Sequence, residues 1–560
     1  MTIQRVSMFV LKLLLVYCSS TLVSGAPTAQ LPTVSLDYGT FQGATTGDLD
    51  LFLGIPFARA PVGELRFAPP QPPLTLEGVQ DASIYGPACP QSLQSLLNFT
   101  AIGLPAVTDL LFSEDCLSIN VFKPSNNPDG TKLPVLFWIY GGAFELGSTS
   151  MYPGNSVVER SIALGEPVIY VSANYRLNAF GFLPGKEVLA AGITNAGIRD
   201  QRFALEWVHD NIEKFGGDPS AVTIWGESAG SISVALQLVL NGGDPGGLYR
   251  GAVMESGSLY NPKLDILGAQ PLYDGLVELT GCSSSSDTLE CLRSVSSDEI
   301  LAAVEQLPNF SSFSGLSIPW SPRIDGLLLP EEPVPLLNQG LYAKVPILIG
   351  DCDDEGTLFS FTQSNITTND EFLQYVKENY LPDISDEDLL AIGEAYPEDP
   401  TQGSPFDTGL LNILTPQFKR LAAFQGDLVF QAPRRFLLET VSKTQDTWSY
   451  LYKRGKITPF LGAAHGTDVP EFYGLVLPDF IATDALINFA NTLNPTTPQN
   501  PISLLTSSGI TWEQWNSSTT SPPLLTFLDP APAISITADT YRKDAMDLLN
   551  KIAVKLQGGN

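Results

Sequence analysis

The sequence predicts an α/β fold with a large, mostly parallel central sheet flanked by helices. Short, continuous apolar runs are typical of strands buried on both faces of a parallel sheet, and they occur at residues 134–140, 168–173, 221–225, 251–254 and 345–349. Between the second and third runs, Leu205, Val208 and Ile212 recur at helical spacing and predict a helix over residues 199–215. Strands that alternate with helices in this way are characteristic of α/β proteins.

The composition predicts one large folded domain. The chain has 560 residues, of which 44% are hydrophobic and 16% charged, so apolar material for a large core is ample. No internal repeat or long low-complexity linker divides it, which favours a single domain over residues 26–560. The formal charge is −30. A surface of that sign repels polyphosphate and anionic lipid, so neither nucleic-acid binding nor electrostatic docking to an acidic membrane is expected.

Residues 1–25 have the features of a secretory signal peptide. Arg5 precedes an apolar run at residues 8–16, and Val23, Ser24 and Gly25 form a small-residue pattern before Ala26. The run is too short to cross a bilayer. No later stretch reaches 18 uninterrupted apolar residues. We therefore expect a secreted, extracellular protein.

Five cysteines follow the predicted leader, so one must remain unpaired. Loop length favours pairing Cys89 with Cys116 and Cys282 with Cys291, although the sequence alone leaves other pairings open. Cys352 would then be a free thiol, expected as a small buried side chain at the end of a strand. Sequons for N-glycosylation predict exposed loops at Asn98, Asn309, Asn365 and Asn516.

Ser228 is the candidate nucleophile. It lies in the pattern Gly-Glu-Ser-Ala-Gly at residues 226–230, at the end of a predicted strand and the start of the segment 231–240. The turn from strand to helix leaves almost no room for a side chain two positions before or after the serine, which explains Gly226 and Gly230. This context favours a nucleophile elbow over an ordinary glycine-rich turn.

A second glycine-rich turn follows the strand at residues 134–140. A tetrahedral oxyanion needs two or three backbone N–H groups directed at one point, and small residues allow the chain to present them. We assign the N–H groups of Gly142 and Ala143 to this oxyanion hole, with that of Ala229 as the third donor. The alternative is a tight turn without this role.

The general base must be one of two histidines. A serine hydroxyl is a weak nucleophile unless an imidazole accepts its proton. His209 lies in the predicted helix 199–215 and is expected at its surface, whereas His465 lies in a loop after the apolar run 448–452 and follows the serine in the chain. We therefore assign His465 as the base. The acid is expected after the strand 345–349, where Asp351, Asp353, Asp354 and Glu355 offer four carboxylates among which residue chemistry alone does not choose.

No metal or other cofactor is expected. A zinc site is not expected, because the chain has only two histidines and no His-Glu-x-x-His pattern. A calcium loop that begins at Asp351 would require a bidentate glutamate where Thr362 stands.

Six segments follow one another in a recognisable order along the chain. They are EDCLSINV (114–121), GGAF (141–144), NYRL (174–177), FGGDP (215–219), GESAG (226–230) and DEG (354–356). Together they resemble the type B carboxylesterase/lipase family, which includes the cholinesterases and the fungal lipases of the Candida rugosa type. The resemblance implies an α/β-hydrolase fold, a Ser-Glu-His triad with Glu355 as the acid, and the two disulfides favoured above. It also likens Ser256 to a family serine that supports the acid, with a buried strand-end hydroxyl as the alternative. The fungal lipases usually carry a third glycine where this chain has Ala143.

The resemblance implies a serine ester hydrolase that acts on a small-molecule or lipid ester. The loop between Cys89 and Cys116 resembles the lid of the lipases and is strongly apolar, which favours contact with a lipid interface; the alternative is that it packs as a cover over the core. It contains no tryptophan, and cholinesterases place one there to bind choline, so a choline ester is disfavoured. We predict a broad carboxylesterase with lipase character. The alternatives are a sterol or feruloyl-type esterase and, in a different class, a cholinesterase-like adhesion protein.

Overall fold

The computed structural model describes residues 31–92, 111–127, 130–259, 265–475, 479–496, 500 and 502–558. The predicted leader, residues 93–110 of the predicted lid and the sequon at Asn98 lie outside these ranges. The described residues from Pro32 onwards belong to one compact unit.

The strands of the described chain form two sheets. In chain order they are β1 Thr33–Leu36, β2 Gly39–Gln42, β3 Ala44–Thr46, β4 Leu49–Pro56, β5 Val79–Asp81, β6 Ser118–Pro124, β7 Leu133–Ile139, β8 Ile169–Ala173, β9 Gly217–Glu227, β10 Gly251–Glu255, β11 Ile347–Cys352, β12 Thr447–Tyr452, β13 Pro523–Phe527 and β14 Ile534–Ala538. The large sheet has the order β14-β13-β12-β11-β10-β9-β7-β8-β6-β4-β3, and β1, β2 and β5 form a small separate sheet.

The large sheet is parallel in its centre and antiparallel at its edges. Every pairing from β8 through β7, β9, β10, β11 and β12 to β13 is parallel. The pairings of β6, β4 and β3 at one edge and of β14 at the other are antiparallel. The predicted mostly parallel sheet is thus confirmed, and the antiparallel edges are an addition to it.

Helices cover this sheet and connect its strands. They are α1 Asn155–Leu164, α2 Asn178–Phe182, α3 Lys186–Ala191, α4 Ala196–Asn211, α5 Ala229–Val239, α6 Gln270–Leu279, α7 Thr288–Ser294, α8 Ser297–Val304, α9 Pro333–Asn338, α10 Asn369–Asn379, α11 Asp386–Ala395, α12 Phe418–Gly426, α13 Ala432–Val441, α14 Val469–Phe472, α15 Ile481–Thr492, α16 Leu504–Ser507 and α17 Lys543–Leu556. In the ranges described, no helix is both long and apolar enough to cross a membrane.

The buried strands match the five apolar runs. Each of β7, β8, β9, β10 and β11 overlaps one run, and their apolar side chains belong to one continuous core. Trp138 on β7 packs edge-on against Trp225 on β9, with ring centroids 4.4 Å apart. The predicted helix 199–215 begins three residues earlier, as α4, and its last turn, Ile212–Phe215, is a 3₁₀ turn that ends at Gly216 in the left-handed region (φ 85°).

Both favoured disulfides are present. Cys89 is bonded to Cys116 and Cys282 to Cys291. Cys352 is the free, buried cysteine at the end of β11, as predicted. Of the sequon asparagines in the described ranges, Asn365 and Asn516 are exposed and Asn309 is half-buried.

Candidate active site

Ser228 lies on a sharp turn between β9 and α5. Its backbone has φ 55° and ψ −125°, a conformation that residues other than glycine rarely adopt. A Cβ atom on Gly230 would lie 1.9 Å from the carbonyl oxygen of Ile139, and one on Gly226 would lie 2.5 Å from the carbonyl oxygen of Gly230. Only glycine fits at these two positions. The predicted reason for both glycines is therefore visible in the packing.

The structure brings the three predicted triad residues together. Ser228 Oγ lies 2.7 Å from His465 Nε2, and His465 Nδ1 lies 2.5 Å from Glu355 Oε2. The other oxygen of the acid, Glu355 Oε1, accepts hydrogen bonds from the Ser256 hydroxyl and the Cys352 N–H, each 2.6 Å long. These contacts fix the carboxylate on both oxygens. Ser256 thus contacts Glu355, the predicted acid, as the resemblance implies.

His209 lies apart from these residues. It is exposed on α4, and its Nδ1 lies 3.1 Å from Asp210 Oδ1. The surface position predicted for it is what the structure shows.

The other carboxylates of the acid loop form separate ion pairs. Asp351 Oδ2 accepts from Arg434 Nε at 2.8 Å. Asp354 Oδ2 accepts from Lys456 Nζ at 2.6 Å and from the N–H of Ala463 at 2.9 Å. Asp354 therefore joins the loop that carries Glu355 to the loop that carries His465.

The predicted oxyanion loop lies directly after β7. Gly142 has φ 107° and Ala143 has φ 56°. The Gly142 carbonyl accepts from the N–H groups of Glu145 and Leu146 at 2.9 Å, and a Cβ on Gly142 would lie 2.4 Å from the Leu146 carbonyl oxygen. No acceptor among the described residues binds the N–H of Gly142 or Ala143. The N–H of Ala229, the first residue of α5, has no acceptor within its own helix.

A cavity of about 470 Å³ opens beside these groups. Ser228, His465, Gly142 and Ala143 border it, together with Glu227. The rest of its wall is mostly apolar and includes Leu146, Met151, Ile232, Leu316, Ile318, Phe359, Phe430, Leu461, Val469 and Leu475. A cavity of this size and lining is suited to an apolar ligand with one reactive polar group.

Burial shifts the proton affinities of the histidine and the acid towards each other. Desolvation lowers the pKa of His465 below its ordinary value of 6.5. Desolvation also raises the pKa of Glu355 well above its ordinary value, while the hydrogen bonds from Ser256 and Cys352 oppose that rise. The rings of Phe430 and Phe359 lie 4.6 and 5.2 Å from the imidazole and shield it from water.

Sequence reasoning missed Glu227. Its Oε1 lies 3.3 Å from His465 Nε2, and burial raises its pKa to about 8, so this carboxyl is mostly protonated at neutral pH. The signal that could have found it is its place beside Ser228 in the same motif. Asp354 was missed as a link between two loops because its partners come from distant parts of the chain.

The fold and the site together define a class. A serine on a strand-to-helix turn of a mostly parallel sheet, hydrogen-bonded to a histidine and then a carboxylate from later loops, is the arrangement of serine hydrolases with the α/β-hydrolase fold.

Comparison with known proteins narrows the class to a family. The model of the carboxylesterase family matches residues 30–531. A secreted triacylglycerol lipase of Gibberella zeae is 41% identical, with 92% of this chain and 90% of the relative covered. Lipase 4 of Diutina rugosa is also 41% identical, with 91% and 93% covered. The crystal structure of EstA from Aspergillus niger superposes with a TM-score of 0.79 at 28% identity over 94% of this chain and 99% of that one.

The chain belongs to the carboxylesterase family. The predicted family, the α/β-hydrolase fold and the predicted class of carboxylic ester hydrolase are confirmed.

Proposed function

We propose that the protein is a secreted carboxylesterase with lipase character that cleaves esters through a Ser228-His465-Glu355 triad and an acyl-enzyme. The observation that carries this proposal is the continuous series of hydrogen bonds from Ser228 Oγ through His465 to Glu355, at the wall of an apolar cavity.

The mechanism follows from the geometry. His465 Nε2, 2.7 Å from Ser228 Oγ, accepts the serine proton as the oxygen attacks the ester carbonyl. Glu355 holds the Nδ1–H of the imidazole and stabilises its cation. The N–H groups of Gly142, Ala143 and Ala229 donate to the oxyanion. The imidazolium then protonates the leaving alcohol, and water repeats the sequence on the acyl-enzyme.

The cavity wall supports an apolar acyl chain as the ligand. Aliphatic and aromatic side chains dominate it, and Glu227, the one carboxyl among its described lining residues, is mostly neutral at neutral pH. Two relatives similar over most of this chain are named as lipases, one of them a triacylglycerol lipase. The apolar loop between Cys89 and Cys116 is proposed as a lid over the cavity, as in the lipases that this chain resembles.

Secretion is supported by three observations. The predicted leader precedes the described chain, two disulfides suit an oxidising compartment, and several relatives are named as secreted lipases. We propose accordingly that residues 1–25 are removed and that residues 26–560 form one extracellular domain, with glycans at the exposed sequons Asn365 and Asn516.

Initial hydrolysis rates test the proposal. The substrates are p-nitrophenyl esters from acetate to palmitate, with a triolein emulsion alongside. Ser228→Ala is expected to lower kcat by about 10⁵-fold or more. The matched control is Ser231→Ala. The hydroxyl that it removes donates to the Gly257 carbonyl and does not contact His465. It should retain most of the activity. A wild-type preparation without ester turnover would refute the proposal and favour the adhesion alternative.

The chain-length profile decides the finer question. A preference for long acyl chains and the emulsion supports lipase character. Exclusive use of short, soluble esters would refute lipase character and direct the search to small soluble esters.

A further inference from the structure

Two loops of the described chain expose apolar side chains in unusual density. Loop 409–414 exposes Leu410 by 70% and Leu411 by 71%, and loop 457–461 exposes Ile457 by 93%. We define the apolar rim as the exposed side chains Leu410, Leu411, Ile413, Leu414, Ile457 and Phe460. Exposed leucines scattered singly need no explanation, but a contiguous apolar group indicates a contact surface.

The two loops form one surface beside the cavity. The N–H of Phe460 donates to Asn412 Oδ1 at 3.0 Å, which joins the loops. Thr458 and Leu461, the neighbours of Ile457 and Phe460 in the chain, border the cavity that contains Ser228. The apolar rim therefore lies next to the reacting serine's cavity.

A buried cation holds the first loop in this conformation. Lys419 is 2% exposed, and its Nζ donates to the Gly409 carbonyl at 2.9 Å, the Leu411 carbonyl at 3.3 Å and the Thr408 hydroxyl at 2.8 Å. These bonds satisfy the Gly409 and Leu411 carbonyls from the protein interior, while the leucine side chains remain in solvent. The exposure is thus built into the local structure, since an ammonium group is buried to maintain it.

Charge indicates which surface the rim fits. Residues 408–418 and 457–464 contain no charged side chain, whereas the whole chain carries −30. Beside the rim, Asp407 is paired with Lys453 at 2.8 Å and Lys456 with Asp354 at 2.6 Å. An anionic surface would be repelled by the protein as a whole, while a neutral apolar surface meets an uncharged face.

We propose that the apolar rim docks the protein on the surface of a neutral lipid aggregate, so that ester molecules pass from that surface into the cavity. The proposal rests on the proposed function. It assigns the contact to two loops outside the predicted lid at residues 89–116.

Flotation of triolein droplets coated with phosphatidylcholine tests docking without turnover. All proteins carry Ser228→Ala. The double variant Leu411→Ser, Ile457→Ser is expected to bind about thirtyfold more weakly, since each substitution removes much of one side chain's apolar contact. The matched control is Leu74→Ser, Leu390→Ser, at positions 61% and 60% exposed outside the rim. It should bind like the parent protein.

Three outcomes would overturn the proposal: unchanged binding of the rim variant, equal loss in the control variant, or parent binding to phosphatidylglycerol vesicles as tight as to the neutral droplets. The same double variants with Ser228 intact are assayed on soluble p-nitrophenyl butyrate, where both should stay within about twofold of wild type because none of the four substituted positions borders the cavity. Absence of this soluble activity in wild type would refute the proposed function instead, and the flotation result would stand apart from it.

Discussion

Replacing Asp354 by asparagine is expected to loosen the link between the acid loop and the histidine loop. The side chain of Asp354 is fully buried. Its Oδ1 accepts from the Ser404 hydroxyl at 3.0 Å and the Phe406 N–H at 2.7 Å. Its Oδ2 accepts from Lys456 Nζ at 2.6 Å and the Ala463 N–H at 2.9 Å. An asparagine at this position can accept hydrogen bonds from only one of these two pairs of donors, because its amide nitrogen is itself a donor.

The magnitude follows from the contacts that are lost. If the amide oxygen keeps the Oδ1 pair, the new NH₂ group faces two donors. The buried Ala463 N–H then lacks an acceptor, at a cost of about 1–3 kcal/mol, and a charge-assisted bond to Lys456 worth about 1.5–3 kcal/mol disappears. Lys456 keeps Asp353 Oδ2 at 2.8 Å, which limits the loss. We expect the free energy of unfolding to fall by about 3 kcal/mol.

Thermal inactivation at a fixed temperature and kcat on p-nitrophenyl butyrate measure the two consequences. Inactivation should accelerate by up to about 150-fold if these contacts break before the unfolding barrier. A displaced histidine loop should lower kcat by about 10- to 100-fold. The matched control is Asp407→Asn, which removes a 70% exposed partner of Lys453 and should change either quantity little. If Asp354→Asn matches this control in both measurements, the buried carboxylate does not hold the two loops together.

Four further predictions probe the site. Glu355→Gln should lower kcat by about 10⁴-fold with a similar KM, because the amide no longer stabilises the imidazolium of His465; a loss below tenfold would contradict its role as the acid. Burial lowers the pKa of His465 below 6.5, so the imidazole loses its proton at a lower pH and becomes able to accept the serine proton. As the pH rises, kcat/KM should therefore reach half its plateau below pH 6.5. Glu227 Oε1 lies 3.3 Å from His465 Nε2, and this carboxyl ionises near pH 8. The resulting negative charge favours a protonated Nε2 and repels the oxyanion, so the rate should fall above pH 8 in wild type. The rate of Glu227→Gln should not fall there, and the two profiles should coincide below about pH 7. Gly142→Ala places a Cβ 2.4 Å from a carbonyl oxygen at φ 107° and should lower kcat by about 10²- to 10³-fold, whereas Gly165→Ala, also at positive φ but with no atom within 4 Å of the new Cβ, should keep full kcat.

The central strands were predictable because each is buried on both faces and so appears as an unbroken apolar run. The edge strands were not, because β3 and β14 are partly exposed and lack such a run. The turn that carries Ser228, the predicted nucleophile, was predictable from local sequence, since this tight turn requires glycines at fixed positions. Residue chemistry alone did not choose the acid, because Asp351, Asp353, Asp354 and Glu355 differ only in their tertiary partners; Glu355 was predicted only through the family resemblance. Asp351 meets Arg434, 83 residues away, and no spacing rule predicts such a pair.

The strained residues of the site share one location in the sheet, and that location explains them. Ala143, Ser228 and Ser256 have φ of 56°, 55° and 51°, and they follow β7, β9 and β10, which are neighbours in the large sheet. Each such conformation costs about 1–3 kcal/mol in a residue other than glycine. The buried strands fix where each backbone must turn, so the core sustains the strain. Ala143 as a predicted oxyanion donor, Ser228 as the predicted nucleophile and Ser256 as the support of the predicted acid therefore meet at the carboxyl ends of three neighbouring central strands, an arrangement suited to the proposed reaction.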